Sequence, residues 1–402
     1  MIDLALLRQS PDVFKHSQSL RGQDPEVIDE ILQLDQDWRK TSQELEAKRA
    51  EANSLSKTRE LAEQNMVKLK SLKEEISDHE KEAVSQEKKL KSQVALVSNL
   101  LRDDVPEGRD SADNKVLGTW GEITHKTGKS HEDLLTALDW LDLETASAFS
   151  GTRFRYLKNE AAIAEQKLLQ LALNLAIERG FTPVVPPVVA MDETLQSAGF
   201  FPKGQEDTFQ LNDRQYLIGT SEPMLLALAA NHKYKAEDLP VRFVGISTCF
   251  RQEAGSYGKD VKGMFRMHQF DKVEMVSIVA PEKSEEEHQF LLSVQEEVVQ
   301  KLGIPYQKVF LCSGDQTHVA AKQIDIESWF PSQERFRETH SSSNCTDFQS
   351  RDMKIKVENQ EDNLVLAHTL NATLVTERLL LAAVENNQQP DGTVNLPAEL
   401  TR

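Results

Sequence analysis

The sequence predicts an α+β protein with an N-terminal antiparallel helical coiled-coil arm and a body whose mainly antiparallel sheet is flanked by helices. Residues 26–100 contain no Gly and no Pro and are dominated by good helix formers. Short β-rich runs recur beyond residue 208, and helical stretches separate some of them. Neither GxGxxG after a strand nor GxxxxGK[ST] occurs, so a Rossmann or P-loop nucleotide site is not supported.

The composition is that of a multidomain globular protein. The chain has 402 residues, a net charge of −18 and 39% hydrophobic residues, which is too balanced for general disorder. Its acidic balance argues against indiscriminate nucleic-acid binding but leaves room for a locally basic site. No run of about 18 apolar residues and no signal-type N-terminus are present, so we expect no membrane partner. Three widely spaced cysteines exclude a disulfide scaffold and a CxxC zinc ribbon, which indicates the reducing cytoplasm.

The N-terminal arm shows two heptad registers. The first contains Ile31, Trp38, Leu45 and Ala52, and the second contains Leu69, Ile76, Ala83, Leu90 and Val97. A phase break near residues 56–66 predicts an antiparallel hairpin of two helices of about 35 residues each, projecting on the order of 50 Å. Two helices alone bury little surface, so we expect the arm to reach a partner.

The region of the phase break is basic. Its cations are Lys57, Arg59, Lys68, Lys70 and Lys73, against Glu60 and Glu63. One interpretation is a solvated helix surface, and another is a probe that contacts nucleic-acid phosphates. A dimerising coiled coil is a third.

Three segments are expected: 1–102 as an N-terminal domain with the arm at about 26–100, 103–131 as a linker, and 132–402 as the body. The linker is predicted because the segment is rich in Gly, Asp and Pro and lacks periodicity. Helices are predicted at 159–179 and 284–302. The segment FTPVVPPVV, with prolines at 183, 186 and 187, predicts an edge or interface strand.

Residues 250–275 hold the densest group of candidate site residues. A strand enters, a Gly-rich loop with Arg251, Lys259, Lys262 and Arg266 follows, and a second strand leaves. Arg251 would present a planar fork to phosphate or carboxylate oxygens. Phe270 can offer a ring face to a base, and Glu274 could bind an amino or hydroxyl group. An ordinary hairpin with a solvated loop is the alternative.

Residues 335–351 form a second group. Glu338 and Ser341 are oxygen donors three residues apart, and oxygen ligands suit a hard cation such as Mg²⁺. His340 has no partner at zinc-ligand spacing, so we expect a structural histidine and no zinc. Cys345 has no base beside it in sequence and is expected to be buried rather than nucleophilic.

Two further groups flank predicted helices. In residues 366–392 a strand leads to Asn371 and Thr373, and a helix begins near Arg378. Arg378 adds charge to a helix N-terminus, which favours anions, or it pairs with an acid. In residues 218–228, Thr220 and Glu222 precede a helix and could cap it or receive a substrate amine.

Taken together, these segments resemble the seryl-tRNA synthetases, a class II aminoacyl-tRNA synthetase family. FRQEAGSYGKDVKGMFRMHQFDKVE is similar to the family's motif 2, and GFTPVVPPVV resembles motif 1, with Pro187 at the motif proline. TSE resembles the serine-binding loop. RETHSSSNCTDFQSR and NATLVTER resemble the metal-binding strand and motif 3. The resemblance implies a class II catalytic domain and ATP-dependent ligation of L-serine to serine tRNA through a seryl-adenylate.

The resemblance also implies residue roles. Arg251 and Arg378 would be catalytic. ATP would contact Arg251, Glu253, Arg266, Met267, Phe270, Lys272, Glu338, Ser341 and Arg378, with Mg²⁺ on Glu338 and Ser341. Serine would contact Thr220, Glu222, Arg251, Glu274, Asn371 and Thr373. The long variable arm of serine tRNA would contact Lys57, Arg59, Lys68, Lys70 and Lys73, and Pro187 would lie in a homodimer interface. Charging of selenocysteine tRNA is a further possibility by family analogy.

One departure from the family pattern falls in motif 3. Asn371 and Arg378 are seven residues apart where the family usually has eight, and Glu377 stands where a small residue, Gly or Pro usually precedes the arginine. A slip of one residue along a strand would turn side chains to the other face. The departure motivates an alternative function, a catalytically impaired RNA-binding paralogue. Retention of Arg251, Glu274, Glu338 and Ser341 argues against that alternative.

Overall fold

The structure is a computed structural model that describes residues 1–57, 62–254, 264–359, 361 and 363–401. The chain divides into two compact units. One comprises Ile2–Leu100, and the other comprises Leu101–Arg402 together with Met1. Within the described residues, no helix is both long and apolar enough to cross a membrane.

The N-terminal unit is helical. Its helices are α1 (Leu4–Gln9), α2 (Pro11–Leu20), α3 (Val27–Lys57) and α4 (Ala62–Val94). Helices α3 and α4 pack against each other along buried Ile31, Leu45, Leu72, Ala83 and Leu90, which confirms the predicted coiled-coil arm. A helix of 31 residues, such as α3, is about 46 Å long.

Ion pairs between α3 and α4 also fix which residues lie opposite each other. Lys48 Nζ lies 2.5 Å from Glu75 Oε2, and Lys68 Nζ lies 2.8 Å from Glu51 Oε1. Residue numbers that rise along one helix pair with numbers that fall along the other, so the two helices are antiparallel.

The second unit is a mixed α/β body. The strands of its described residues are β1 (Lys115–Trp120), β2 (Leu141–Asp142), β3 (Tyr156–Leu157), β4 (Thr182–Val184), β5 (Val189–Met191), β6 (Gln210–Asn212), β7 (Gln215–Leu217), β8 (Lys233–Tyr234), β9 (Val241–Phe250), β10 (Gln269–Val279), β11 (Tyr306–Phe310), β12 (Lys322–Phe330), β13 (Arg335–Asn344), β14 (Lys356–Glu358), β15 (Leu364–Leu366) and β16 (His368–Thr376). Its helices are α5 (His131–Ala137), α6 (Leu143–Ser150), α7 (Asn159–Glu178), α8 (Asp192–Ser197), α9 (Glu222–Ala227), α10 (Ser284–Lys301), α11 (Phe348–Met353) and α12 (Glu377–Asn386).

The main sheet has the order β1-β11-β12-β13-β16-β10-β9-β4. Its neighbours pair antiparallel except β4, which runs parallel to β9 at one edge. The predicted mainly antiparallel sheet is therefore confirmed. The proline-rich segment does supply an edge strand, which suits residues that lack backbone donors.

One face of this sheet is covered by helices and the other carries polar side chains. Val273 and Met275 of β10 are fully buried in the main core, with Leu168 of α7, Leu291 of α10 and Leu380 of α12. Successive strand residues point to opposite faces. Lys272 and Glu274 of the same strand therefore lie on the face away from these helices, where the candidate site is found.

The structure differs from the sequence prediction in residues 103–131. This segment, expected to be a linker without regular structure, contains β1, which pairs with β11 at the other edge of the sheet. The residues of β1 are mostly exposed, so the strand lacks the alternation that marks a half-buried strand. Pairing with the backbone of β11, rather than side-chain burial, makes it a strand.

Candidate functional site

Strands β10 and β16 carry a buried polar cluster on the open face of the sheet. Lys272 Nζ lies 2.7 Å from Glu274 Oε2, and the Thr373 hydroxyl donates to the same carboxylate oxygen at 3.2 Å. Lys272 also donates to the Thr373 hydroxyl at 3.4 Å. All of these partners except Thr373 are almost fully buried. The cluster fixes one ammonium, one carboxylate and one hydroxyl group in a small space.

A bulge in β16 sets which of its residues face this cluster. Glu274 pairs with Thr373 and Val273 pairs with Val375, so Leu374 is the extra residue on β16. The extra residue shifts the alternation of side chains by one position, so Thr376 points to the same face of the sheet as Thr373. Thr373 and Thr376, three residues apart, consequently line the same pocket as Arg378.

Glu222, the first residue of α9, lies in a cage of amides. Its Oε1 accepts hydrogen bonds from Gln349 Nε2 at 2.7 Å and Asn371 Nδ2 at 3.0 Å. The residue is only 5% exposed. Burial, and then the nearby charge of Glu274, raises the pKa of Glu222 to about 7. The Thr220 hydroxyl accepts from the backbone N–H of Glu222 at 3.3 Å, which holds Thr220 beside the start of the helix.

Arg251 follows β9 directly and is held at the edge of the pocket. Its Nε donates to the carbonyl of Gly219 at 3.2 Å, and its guanidinium carbon lies 5.3 Å from the centre of the Phe270 ring. His268 Nδ1 donates to the Arg251 carbonyl at 2.8 Å. The guanidinium group of Arg251 is thus fixed beside an aromatic face.

Arg378 lies at the start of α12 and contacts several groups of the pocket. Its Nη1 lies 3.2 Å from Glu338 Oε2, and its Nε donates to the Phe265 carbonyl at 3.3 Å. Thr376 caps the helix by accepting from the Arg378 N–H. Burial alone would lower the pKa of Arg378, but the neighbouring Glu338 and Glu377 raise it above its usual value. Arg378 is therefore paired with an acid and also lines the pocket.

Phe265 carries two cations on its ring. The guanidinium carbon of Arg337 lies 4.0 Å from the ring centre and that of Arg378 lies 4.6 Å away. Such contacts hold guanidinium groups in one orientation. The arrangement makes Phe265 a support for the cationic side of the pocket.

A second bulge brings the two predicted metal-binding residues together. Glu338 pairs with Glu327 and Ser341 pairs with Asp325, so Thr339 and His340 together oppose one residue of β12. Without a bulge, a spacing of three would point Glu338 and Ser341 to opposite faces. With it, both line the pocket.

The residues around Glu338 and Ser341 fit a hard cation. Burial, and then the charge of Glu338, raises the pKa of Asp325 well above its usual value. A divalent cation would offset this crowding of carboxylates, and oxygen donors are what Mg²⁺ prefers. In the part of the chain that is described, no group of three or more His, Cys, Asp or Glu side chains is arranged to hold a metal. Any Mg²⁺ would therefore rely on Glu338, Ser341 and oxygens from the substrate.

The remaining predicted residues of this part of the body lie either at the pocket or buried in the protein interior. Glu253 lines the pocket and pairs with Arg266 at 2.7 Å, whereas Met267 is buried in the main core and does not line it. His340 and Cys345 are buried, as predicted. Burial lowers the pKa of His340 to about 3.

Part of the predicted basic surface can be located. Lys70 and Lys73 are exposed, and Lys68 is exposed but paired with Glu51. Arg59, the side chain of Lys57, and Lys259 and Lys262 of the 250–275 loop lie outside the described residues. Pro187 is exposed just beyond β4.

Several pocket residues were not predicted from the sequence. They are Phe265, Thr339, Thr376 and Glu377 in the lining, Asp325 opposite Ser341 on β12, and Gln349 against Glu222. Phe265 lies within the motif 2 segment and Gln349 within FQSR, so closer reading of those motifs could have found them. Asp325 belongs to a strand for which no separate signal stood out.

Comparisons with known proteins agree with the sequence resemblance. The family described as seryl-tRNA synthetase N-terminal domain matches residues 1–101, and the class II tRNA synthetase core domain family (G, H, P, S and T) matches residues 207–387. The serine–tRNA ligase of Thermobifida fusca is 40% identical over 408 residues, covering 100% of this chain and 96% of the relative. That of Pyrococcus horikoshii is 37% identical, covering 100% and 95%.

Two solved structures are similar over almost the whole chain. The crystal structure of seryl-tRNA synthetase from Pyrococcus horikoshii complexed with ATP superposes with a TM-score of 0.90, covering 100% of this chain and 97% of that one at 37% identity. The cytoplasmic serine–tRNA ligase of Naegleria fowleri in complex with AMP gives 0.83, covering 97% and 93% at 29% identity.

Proposed function

The chain belongs to the seryl-tRNA synthetase family, and we propose that it activates L-serine with ATP and transfers the seryl group to serine tRNA. The predicted identity as an aminoacyl-tRNA ligase is confirmed by relatives that match over their full length. The same comparisons favour the active ligase over the impaired RNA-binding paralogue.

The observation that carries the proposal is the convergence of Arg251, Phe270, Lys272, Thr373 and Arg378 on one pocket. These residues come from widely separated parts of the sequence. The pocket combines an aromatic face with several cations, which suits a nucleotide triphosphate. Relatives bound to ATP and to AMP support this choice of ligand.

We propose that serine binds at the deep end of the site. The Glu222 carboxylate, ionised above about pH 7, would hold the substrate ammonium group. Glu274 and Thr373 would bind the hydroxyl, with Asn371 and Thr220 completing the surroundings. If alanine bound in place of serine, the buried polar groups that bind the serine hydroxyl would lose their hydrogen-bond partner. Discrimination against alanine can therefore reach about 10⁴-fold.

For the first step, we propose that the serine carboxylate attacks the α-phosphorus of ATP. Arg251 would bind the carboxylate and the α-phosphate, bringing the reacting groups together and neutralising charge. Phe270 would stack on adenine and Arg378 would bind the γ-phosphate. Glu253, Arg266 and Lys272 would line the nucleotide site. Held on Glu338 and Ser341, Mg²⁺ would supply further charge neutralisation.

For the second step, the terminal hydroxyl of the tRNA would attack the seryl-adenylate. The arm would contact the long variable arm of serine tRNA through Lys68, Lys70 and Lys73, with Lys57 and Arg59 in the same basic segment. Such contacts recognise shape and backbone rather than base sequence. Selenocysteine tRNA, by family analogy, is a second substrate that we propose.

We also propose a cytoplasmic homodimer that associates through the motif 1 segment. Pro187 is exposed there, and the side chain of Val185 is 93% exposed. An exposed apolar side chain next to an edge strand is unfavourable in water and suits an interface.

The test of the proposed function is serine-dependent ATP–pyrophosphate exchange on the purified protein, with threonine and alanine as controls. Exchange with serine alone is the expected result. A folded protein that shows no exchange with any amino acid would contradict the proposal and favour the RNA-binding paralogue.

The Arg251→Ala variant tests the assigned site. Loss of a charged group that stabilises the transition state is expected to lower kcat/KM for exchange by about 10²-fold or more. Arg214→Ala is the matched control, because Arg214 is exposed and pairs with Glu193 on the surface. Full exchange activity in Arg251→Ala would show that the pocket is wrongly assigned.

A further inference from the structure

Glu377 adds a negative charge to the pocket proposed to bind ATP. It is the first residue of α12, directly before Arg378, and it lines the pocket although only 5% of it is exposed. Its Oε2 atom has no hydrogen-bond partner among the described residues. A buried carboxylate oxygen without a partner is costly, so its compensation by a neighbouring cation is expected.

The balance of charge in the pocket shows why this carboxylate matters. Among the described lining residues, Arg251, Lys272 and Arg378 are cations, and Glu253, Glu338 and Glu377 are anions. ATP brings about four negative charges. A buried carboxylate next to Arg378 would oppose the triphosphate at the place where a cation is most needed, unless another cation neutralises it.

Arg155 is placed to neutralise Glu377 from outside the pocket. Its Nη1 lies 3.8 Å from Glu377 Oε1, and its Nη2 donates to Glu165 of α7. Arg155 is itself largely buried and lines a separate cavity, with Glu165 and Asp271, that shares Phe270 with the nucleotide pocket. Arg155 thus lies outside the nucleotide pocket, in a neighbouring cavity that is also lined by Phe270, the residue proposed to stack on adenine.

The charged groups around Glu377 leave Arg155 as its main compensating partner. Burial raises the pKa of Glu377, whereas Arg155 and then Arg378 lower it, and Glu165 raises it. Of these two cations, Arg155 has the larger effect on Glu377, while one nitrogen of Arg378 also contacts Glu338. Glu377 is also favoured by its place at a helix N-terminus, which explains how a carboxylate is tolerated there.

We propose that Arg155 is a positioning residue that neutralises Glu377 and so leaves Arg378 available to the phosphates of ATP. This inference rests on the proposed function, because it concerns the ATP site. Arg155 touches no substrate, and it acts through the charge of Glu377.

The experiment measures KM for ATP, KM for serine and kcat in pyrophosphate exchange for four proteins: wild type, Arg155→Met, Glu377→Gln and the double variant. Arg155→Met is expected to raise KM for ATP by roughly tenfold, since an uncompensated buried charge then faces the triphosphate. Glu377→Gln is expected to lower KM for ATP roughly two- to fivefold, because one anion is removed. KM for serine should change less than twofold in both.

The double variant separates charge compensation from a structural role. If Arg155 acts only through the charge of Glu377, the double variant will have the KM for ATP of Glu377→Gln. A double variant that keeps the high KM of Arg155→Met would overturn the proposal. An unchanged KM for ATP in Arg155→Met, or a raised one in Glu377→Gln, would also overturn it.

Two controls keep the test decisive. Arg179→Met removes another arginine near α7, the one paired with Glu297, and is expected to leave KM for ATP unchanged. If Arg155→Met does not fold, the comparison of Glu377→Gln with the double variant still decides, because equal KM values support the proposal and unequal values contradict it. Wild-type protein without exchange would refute the proposed function, whereas active wild type with an unresponsive Arg155→Met would refute this inference alone.

Discussion

At the scale of single residues, the most consequential group is the Glu222 carboxylate. Burial makes its ionised form costly, and the two amides of Gln349 and Asn371 offset only part of that cost. The folded protein therefore binds a proton at Glu222 more tightly than the unfolded chain does. A substrate ammonium group would offset this cost, so the folded protein should be more stable with serine bound than without it.

Glu222→Gln is predicted to stabilise the protein while abolishing serine activation. The amide oxygen can still accept from Gln349 and Asn371, but the buried charge is gone. The folded pKa of Glu222, about 7, lies above its ordinary value of 4.5. The stability of the wild type is therefore lost as pH rises between these values. At pH 8 the free energy of unfolding of the variant should exceed that of the wild type by about 3 kcal/mol.

Urea unfolding of both proteins between pH 5 and pH 8 measures this difference. The advantage of the variant should shrink as pH falls below about 7, because wild-type Glu222 then becomes protonated. KM for serine of the wild type should rise over the same range. Glu193→Gln, an exposed surface change, should show no such trend. The prediction would be contradicted if the advantage of Glu222→Gln over wild type were no larger at pH 8 than at pH 5.

At the scale of elements, two bulges arrange the site. The extra residue Leu374 in β16 keeps Asn371 and Thr373 on the face of Glu274 and returns Thr376 to that face. The irregularity at Thr339 in β13 gives Glu338 and Ser341 a common face despite their odd spacing. The seven-residue interval between Asn371 and Arg378 is thus accommodated within the strand, and Arg378 lines the pocket.

The helical arm is the element for which the sequence makes the most specific functional prediction. Replacing Lys70 and Lys73 together by Glu should raise KM for serine tRNA in aminoacylation by tenfold or more and lower the salt-dependence slope by about 1–2. Pyrophosphate exchange should not change, because the residues proposed to bind ATP and serine all belong to the second unit.

The matched control replaces Lys88 and Lys89, which are exposed near the other end of α4, by Glu. It changes net charge by the same amount. If this control weakened tRNA charging as strongly as the change at Lys70 and Lys73, overall charge rather than contact near the hairpin end would be responsible.

At the scale of the whole molecule, the proposed dimer depends on the edge of the main sheet. The edge strand β4 pairs on one side only, with β9. The prolines around it limit open-ended strand addition. Val185 beside it is exposed, which supports the proposal that a dimer covers this surface.

Val185→Glu is predicted to weaken dimerisation, because a charge would be buried in an apolar contact. Sedimentation velocity should show a shift towards monomer at micromolar concentration, with a parallel loss of exchange activity. Val84→Glu, at an exposed position of α4, is the control and should leave the assembly state unchanged. A Val185→Glu protein that sediments like wild type would place the interface elsewhere.

Much of the fold and of the site could be predicted from local sequence. The arm follows from a long segment without Gly or Pro and with heptad repeats, since helix propensity and amphipathicity act over neighbouring residues. Strands β9, β10 and β11 coincide with β-rich runs. Arg251, Phe270 and Glu274 lie in one segment, residues 250–275, which its composition and its similarity to the family's motif 2 mark as a site.

Other features depended on contacts between distant residues. Strand β1 exists because it pairs with β11, and the bulge at Leu374 depends on β10, about 100 residues earlier in the sequence. The contact between Arg155 and Glu377 joins residues more than 200 positions apart. Local sequence indicates residue types and helices because those effects are short-range. Strand register, burial of charge and the pairing of Arg155 with Glu377 arise only when the chain is packed, since each depends on groups that sequence neighbours cannot supply.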